Sequence, residues 1–316
     1  IVVGITGSYG KTSTKEILAG ILSEKFKVLK TKEHQNSEVG ISQCILNDLT
    51  QEHQIFVCEM GAYNVGGIKL LCDIVKPKIG ILTGINEQHM ATFGSMENII
   101  KAKYELIESL PEDGVAFFSA KNKYCQELYQ KTKIKKKIYG ANVQSAELEC
   151  IEGAKIVANE LGMSDKEISK ASEKFENKFP GIQLEKSKNG LNIINAIYSA
   201  NQDGVIAHLE YLKKFFGKKI IIMPCLIELG ASSAKIHRQI GQKIAEVCDL
   251  AIITTKERFK DIKMGSLKSG FPEESILYSE DTEEIMEQLK PYLNPENVIL
   301  LEGRISQGLI NALSKN

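Results

Sequence analysis

Short β-branched runs alternate with longer stretches of helical period along this chain, which is the pattern of an α/β protein with a mainly parallel sheet. In the first half, apolar runs at Ile1–Ile5, Gln54–Cys58, Lys78–Leu82, Gly114–Phe118 and Lys137–Tyr139 predict strands. Helices are expected between them. In Lys11–Glu24 the residues Ile17, Leu18, Ile21 and Leu22 form one apolar stripe, and Met96–Leu110 also has helical period. After Gly140 the strands stop, and helices are predicted near Ala146–Leu161 and Ser164–Asn177, the second opened by a capping box of Ser164 with Glu167.

The segment Asn177-Lys178-Phe179-Pro180-Gly181 is the best domain boundary, because proline and glycine punctuate it and the pattern then restarts with a hairpin around Asn189-Gly190. Strands are predicted near Leu191–Ile194, Lys219–Met223, Leu250–Thr254, Ser275–Tyr278 and Asn297–Leu301, again alternating with helices. The expectation is two domains, 1–179 and 180–316, each long enough to bury its own core. No repeat of fixed period and no low-complexity tract interrupts them.

Forty Lys+Arg balance forty Asp+Glu, so net charge gives no reason to expect nucleic acid or an anionic membrane as partner. The basic run Lys133-Ile134-Lys135-Lys136-Lys137 reads as a solvated strand edge. No segment approaches the roughly 18 to 20 apolar residues of a membrane span. Seven cysteines form no C-x-x-C pair and lie mostly in apolar stretches, which predicts reduced core thiols and a soluble, cytoplasmic protein. Residue 1 is Ile, no secretion signal is visible in the sequence, and the first residues already read as a buried strand, as if something upstream had been trimmed.

Gly7-Ser8-Tyr9-Gly10-Lys11-Thr12-Ser13 lies between a predicted strand and a predicted helix, the context of a phosphate-binding loop. Glycines let successive N–H groups point at phosphate oxygens, Lys11 adds a charge for the β- and γ-phosphates, and the Thr12 hydroxyl can ligate Mg²⁺. The common pattern would have glycine at position 5, where this chain has Ile5. Glu59 stands at the carboxyl end of one strand and His89 beyond the end of another, the sheet edge where α/β proteins bind ligands. With the loop they suggest one metal and phosphate site.

Thr6-Gly7-Ser8-Tyr9-Gly10-Lys11-Thr12, Glu59-Met60-Gly61, His89 with Phe93-Gly94-Ser95, and Ala102-Lys103-Tyr104-Glu105-Leu106 resemble, in order and spacing, the central ATPase domain of the Mur ligases. Within that family the chain most resembles the branch that adds D-alanyl-D-alanine to a nucleotide-linked muramoyl tripeptide. Asn36 and Gly40 match its asparagine-rich loop, Tyr198-Ser199-Ala200-Asn201 resembles its Tyr-Asn-x-Asn-Pro segment, and Ile227-Glu228-Leu229-Gly230 its Glu-Leu-Gly segment. The resemblance implies a P-loop NTPase-like central domain followed by a Rossmann-like carboxyl-terminal domain. ATP would lie in the cleft between them, with Gly181 as a hinge.

By the same resemblance, Thr12 and Glu59 would hold one Mg²⁺, and His89 with Lys103 would help place a second. Lys103 matches a lysine that is carbamylated in several members. Asn195, Tyr198 and Asn201 would contact the nucleotide, and Asn36 and Arg304 the substrate. The implied chemistry is γ-phosphoryl transfer from ATP to a carboxylate, followed by attack of an amine on the acyl phosphate. The implied partners are a nucleotide-linked muramoyl peptide and an amino acid or dipeptide.

Departures from the family cluster on the sugar and base side. Ile182 replaces an arginine, Asn195 an aspartate and Gln202 a proline, and Glu302-Gly303-Arg304 stands where many members have Lys-Gly-Ser-Arg. Only about ten residues separate Gly140 from the helix at Ile151, where the family has a longer stretch with antiparallel strands. Other readings stay open: a catalytically weak or inactive ligase-derived nucleotide-binding module, which these departures support, a Mur-like ligase acting on a different acid and amine, and a P-loop phosphotransferase, which fits the loop.

Overall fold

Apolar β-branched runs and striped helices carry the chain through β1 (Val2–Thr6), α1 (Lys11–Leu22), β2 (Val28–Lys30), α2 (Glu38–Asp48), β3 (Ile55–Glu59), α3 (Gly67–Val75), β4 (Ile79–Leu82), α4 (Met90–Phe93) and α5 (Met96–Glu108). β5 (Val115–Ser119), α6 (Lys123–Lys131), β6 (Lys135–Tyr139), α7 (Ala146–Glu160) and α8 (Asp165–Asn177) complete the first of two units, Ile1–Pro180 and Gly181–Asn316. The structure is a computed structural model and describes residues 1–32, 35–143, 145–177, 183–197 and 201–315.

All strand pairs in the first sheet are parallel, in the order β2-β3-β1-β4-β5-β6. Both faces are covered, as a parallel sheet requires. Ile17, Leu18, Ile21 and Leu22 of α1 pack with Val157 of α7 and Ile168 of α8 on one face. Ile68 and Leu71 of α3 pack with Leu106 of α5 and Leu128 of α6 on the other. Strand order reverses beside β1, so the loops after β1, β3 and β4 converge at the carboxyl edge.

Each strand predicted in this half is present. β2 and α2 were not predicted: β2 has three residues and α2 exposes Val39 and Leu46, so neither carries a clear period. The capping box of α8 is formed, with Ser164 N–H donating to Glu167 Oε2 at 2.7 Å. The lysine run falls on edge strand β6, where Lys137 pairs with Glu160 at 2.8 Å and Lys136 donates to the carbonyls of Tyr129 and Thr132. Charged edge residues of this kind discourage pairing with other strands. β6 and α7 are joined by a short turn with no strand among its described residues.

In the second unit the elements are β7 (Gln183–Lys186), β8 (Asn192–Ala196), α9 (Gln202–Leu212), β9 (Lys219–Met223), α10 (Ser233–Val247), β10 (Leu250–Ile253), α11 (Phe259–Lys268), β11 (Ile276–Tyr278), α12 (Thr282–Leu289), β12 (Val298–Glu302) and α13 (Gln307–Lys315). The sheet order is β11-β10-β9-β12-β8-β7, parallel except for the β7–β8 hairpin. The hairpin turn predicted at Asn189-Gly190 uses Gly190 at φ 85°. α10 and α11 cross closely at Gly241 and Gly265, where an added Cβ would come within 2.1 Å of a carbonyl oxygen of the facing helix. All seven cysteines are free, and burial pushes the Cys72 thiol up to about 11, which leaves it unreactive. No described helix is long and apolar enough to cross a membrane.

Candidate active site

The loop after β1 is shaped by backbone constraints before any side chain acts. Gly7 has φ 153°, and a Cβ there would meet Thr83 Oγ1 at 2.2 Å and the Gly84 carbonyl oxygen at 2.9 Å. Ser8 N–H donates to that carbonyl at 2.7 Å, and Asn86 N–H donates to Ser8 Oγ at 3.1 Å. The loop after β1 is thus stitched to the loop after β4. Thr83 Oγ1 donates to the Tyr9 carbonyl at 2.5 Å, and Asn122 Nδ2 donates to Tyr9 Oη at 3.2 Å. The side chains of Ser8 and Tyr9 are therefore spent on holding the loop. What remains for an anion is backbone: Gly10, at φ 74°, begins α1 without a side-chain cap, so the first N–H groups of the helix and its dipole face outward.

Lys11 opens α1, and its Nζ donates to the Gly7 carbonyl at 2.9 Å. Desolvation lowers its pKa, against the opposing pull of Glu59. Thr12 and Ser13 follow in the first turn, half-buried. The Thr12 hydroxyl donates to Glu59 Oε2 at 3.0 Å, so the loop and the end of β3 meet as expected from the sequence. Glu59 is 5% exposed and is held on its other oxygen by Asn36 Nδ2 at 3.2 Å. Asn36 also accepts from Gly61 N–H through its carbonyl at 2.7 Å. Its contacts are with the carboxylate and the chain after β3. Gly40 lets α2 pass this segment, since a Cβ there would lie 2.6 Å from Gln35 Cα.

Lys103 is buried at 2% exposure on α5, with its ammonium 5.7 Å from the Phe93 ring centroid. Burial, reinforced by the charge of Lys11, brings its pKa down to about 7, with Glu105 opposing. Half of such amines are neutral at neutral pH, and the neutral amine is the form that reacts with carbon dioxide. His89 stands at φ 63° before α4, a left-handed conformation uncommon outside glycine. Its ring packs edge-on against Tyr63, with centroids 4.7 Å apart. Sequence reasoning placed Glu105 in a motif but gave it no role; it accepts from Gly66 N–H at 2.6 Å and Lys69 N–H at 3.0 Å and so caps α3. Sequence reasoning missed Lys15, which lies 3.4 Å from Glu59 Oε2. The available signal was its spacing of one helical turn from Lys11.

The donor set suits Mg²⁺. Among the described residues no group of three or more His, Cys, Asp and Glu could hold a metal. What the site offers is a hydroxyl and a carboxylate, both hard oxygen donors, beside a phosphate loop. Mg²⁺ is commonly held in this way, by one or two protein oxygens with phosphates and water completing the shell.

Of the candidates on the second unit, Asn195 is half-buried at the carboxyl end of β8, and its Oδ1 accepts from Ile197 N–H at 3.4 Å. Asn201 caps α9, accepting from Gly204 N–H at 3.0 Å. Arg304 is exposed beyond β12. Glu302, which stands where the family pattern has lysine, is fully buried against His208 Nδ1 at 2.5 Å. Ile182, Gly181 and Tyr198 lie outside the described residues.

Comparison with known proteins places the chain. The Mur ligase middle domain matches residues 5–200, and the Mur ligase glutamate ligase domain matches residues 182–305. The UDP-N-acetylmuramoyl-tripeptide–D-alanyl-D-alanine ligase of Bacillus subtilis is 27% identical over 95% of this chain and 72% of that protein. The enzyme of the same name from Escherichia coli is 26% identical over 76% of this chain and 61% of that protein. The MurF ligase of Thermotoga maritima, solved in complex with ADP, superposes with a TM-score of 0.86 at 25% identity over 99% of this chain and 79% of that one. A pseudomurein peptide ligase from Methanothermus fervidus shares the fold at 17% identity, covering 99% of this chain and 77% of that one with a TM-score of 0.72. With the middle-domain match alone spanning more than half of its length, this chain belongs to the Mur ligase family.

Proposed function

We propose that the chain is an ATP-dependent, ADP-forming amide ligase of peptidoglycan precursor synthesis, joining D-alanyl-D-alanine to a UDP-N-acetylmuramoyl tripeptide. The observation that carries this reading is the gathering of Lys11, Thr12 and Glu59 around one phosphate loop, with buried Lys103 close enough to feel the charge of Lys11, in a chain matched by both family domains. ATP and a nucleotide-linked acid as substrates put the reaction in the cytoplasm.

The reaction has two steps. A carboxylate oxygen of the acid attacks the γ-phosphorus of ATP, the bond to the bridging oxygen breaks, and ADP leaves an acyl phosphate. The amine then attacks the carbonyl carbon, loses a proton, and expels inorganic phosphate. The protein's part is electrostatic, because charge accumulates on the transferring phosphoryl group. Backbone N–H groups at the start of α1 receive phosphate oxygens. Lys11, released from the Gly7 carbonyl, follows the γ-phosphoryl group. Thr12 and Glu59 would hold Mg²⁺, which supplies neutralising charge and orients the phosphates. Lys103 as a carbamate, together with His89, would hold a second ion. Asn36 keeps Glu59 aimed, and Asn195, Tyr198, Asn201 and Arg304 are the second domain's candidates for nucleotide and substrate.

A second reading, a nucleotide-binding module without ligase activity, is favoured by the short β6–α7 turn and by Glu302 in place of lysine. Hydroxylamine added to protein, Mg·ATP and the muramoyl tripeptide separates the two. A ligase releases ADP and yields a hydroxamate, whereas nucleotide binding without a hydroxamate rejects the ligase reading.

A further inference from the structure

Lys15 follows Lys11 by one turn of α1, and so leaves the helix on the face that meets the phosphate loop. It is fully buried at 0% exposure, an unusual place for lysine. Its Nζ lies 3.4 Å from Glu59 Oε2 and 3.3 Å from Glu16 Oε1. Among the described residues it has no hydrogen bond of good geometry. Glu16 is partly open to solvent and is shared with Lys30. Glu59 is nearly closed off from solvent, so a counter-charge matters far more to it.

These contacts surround one carboxylate. Asn36 donates to Oε1, while Thr12 and Lys15 approach Oε2. The Glu59 backbone N–H is fixed as well, by Thr31 Oγ1 at 3.0 Å. A methionine would fill the volume occupied by Lys15 without the cost of burying an ammonium. Burying one without a well-formed hydrogen bond makes sense where the charge itself is needed.

We propose that Lys15 is a positioning residue of the nucleotide site: its ammonium is the fixed counter-charge that holds the buried Glu59 carboxylate beside the Thr12 hydroxyl, ready for a divalent cation. The inference rests on the ligase reading, which gives Glu59 a cation to hold. Lys15 is fully buried, so its part would be played through Glu59.

The test is a double-mutant cycle of Lys15→Met and Glu59→Gln, with urea unfolding measured in EDTA. In the parent background Lys15→Met leaves a buried carboxylate alone, and the folding equilibrium constant should fall by roughly a hundredfold or more. In the Glu59→Gln background the same change should cost less than about tenfold. A packing role predicts the same cost in both backgrounds. Calorimetric titration with ADP at a series of Mg²⁺ concentrations gives the second readout, and the half-saturating Mg²⁺ should rise about tenfold in Lys15→Met. Equal costs in the two backgrounds, or a half-saturating Mg²⁺ that is unchanged or lower, overturn the proposal. If Lys15→Met does not fold, the proposal requires that the double variant fold, and its failure to fold also overturns it. Absence of Mg²⁺-dependent ADP binding in the parent protein would count against the ligase reading, while the stability cycle still judges Lys15.

Discussion

Replacing Lys103 by methionine should stabilise the protein, by an amount that depends on pH. The native amine has its pKa brought down from 10.5 to about 7, chiefly by burial. An amine lowered in this way binds fewer protons in the native state than in the unfolded chain between those two values, so stability rises with pH across that window. Below pH 7 both states are protonated and the whole penalty applies, of order 5 kcal/mol at 1.36 kcal/mol per pH unit. As pH climbs toward 10.5 the unfolded amine also loses its proton and the penalty fades. Methionine keeps most of the apolar stem and carries no charge. The stability advantage of Lys103→Met over the parent should therefore shrink by roughly 2 kcal/mol between pH 7 and pH 9. Urea unfolding of both proteins at the two pH values, in buffer freed of carbon dioxide, measures it. A difference that does not change with pH would refute the reasoning. The variant should also lose turnover, because the proposed function needs that nitrogen.

Further expectations follow from the same geometry. Lys11→Met should keep the fold, since the ammonium bonds only loop carbonyls. It should lower kcat by two to three orders of magnitude, or roughly 3 to 4 kcal/mol of transition-state stabilisation; unchanged phosphate release would remove Lys11 from the mechanism. Gly7→Ala puts a Cβ 2.2 Å from Thr83 Oγ1 and 2.9 Å from backbone at a φ that side chains rarely adopt. It should abolish nucleotide binding in calorimetry while leaving most of the unfolding free energy in place, and normal binding would contradict the proposed loop geometry. Labelled bicarbonate should give a ¹³C carbamate resonance that is lost in Lys103→Met and grows as pH rises above 7, where the amine is neutral. A spectrum without it would leave Lys103 an ordinary amine.

The fold was readable because its determinants are local. Strands such as Ile55–Glu59 and Val298–Glu302 are short apolar runs buried on both faces, and helices such as α1 carry one continuous stripe. β2 is too short to show a period, and α2 leaves Leu46 83% exposed, so its pattern is blurred. Lys135 and Lys136 hid the first residues of β6, because lysines are pulled onto that edge by Glu160 and the end of α6 and not by strand propensity.

The contact between Thr12 and Glu59 was anticipated from motif context, since a parallel sheet brings the ends of neighbouring strands together. The role of Asn36 in holding Glu59, the capping of α3 by Glu105 and the burial of Lys15 were not legible. Each depends on where a distant segment lies, and a lysine or glutamate on an amphipathic helix reads as solvated until that segment is known. Asn201 shows the opposite case, where the structure gives a residue proposed for nucleotide contact the place of a helix cap.

Isotope transfer tests acyl phosphate formation most directly. When the acid's carboxylate carries ¹⁸O, turnover with Mg·ATP and D-alanyl-D-alanine should release inorganic phosphate containing one labelled oxygen for each amide bond formed. Release of ADP with unlabelled phosphate would contradict the account.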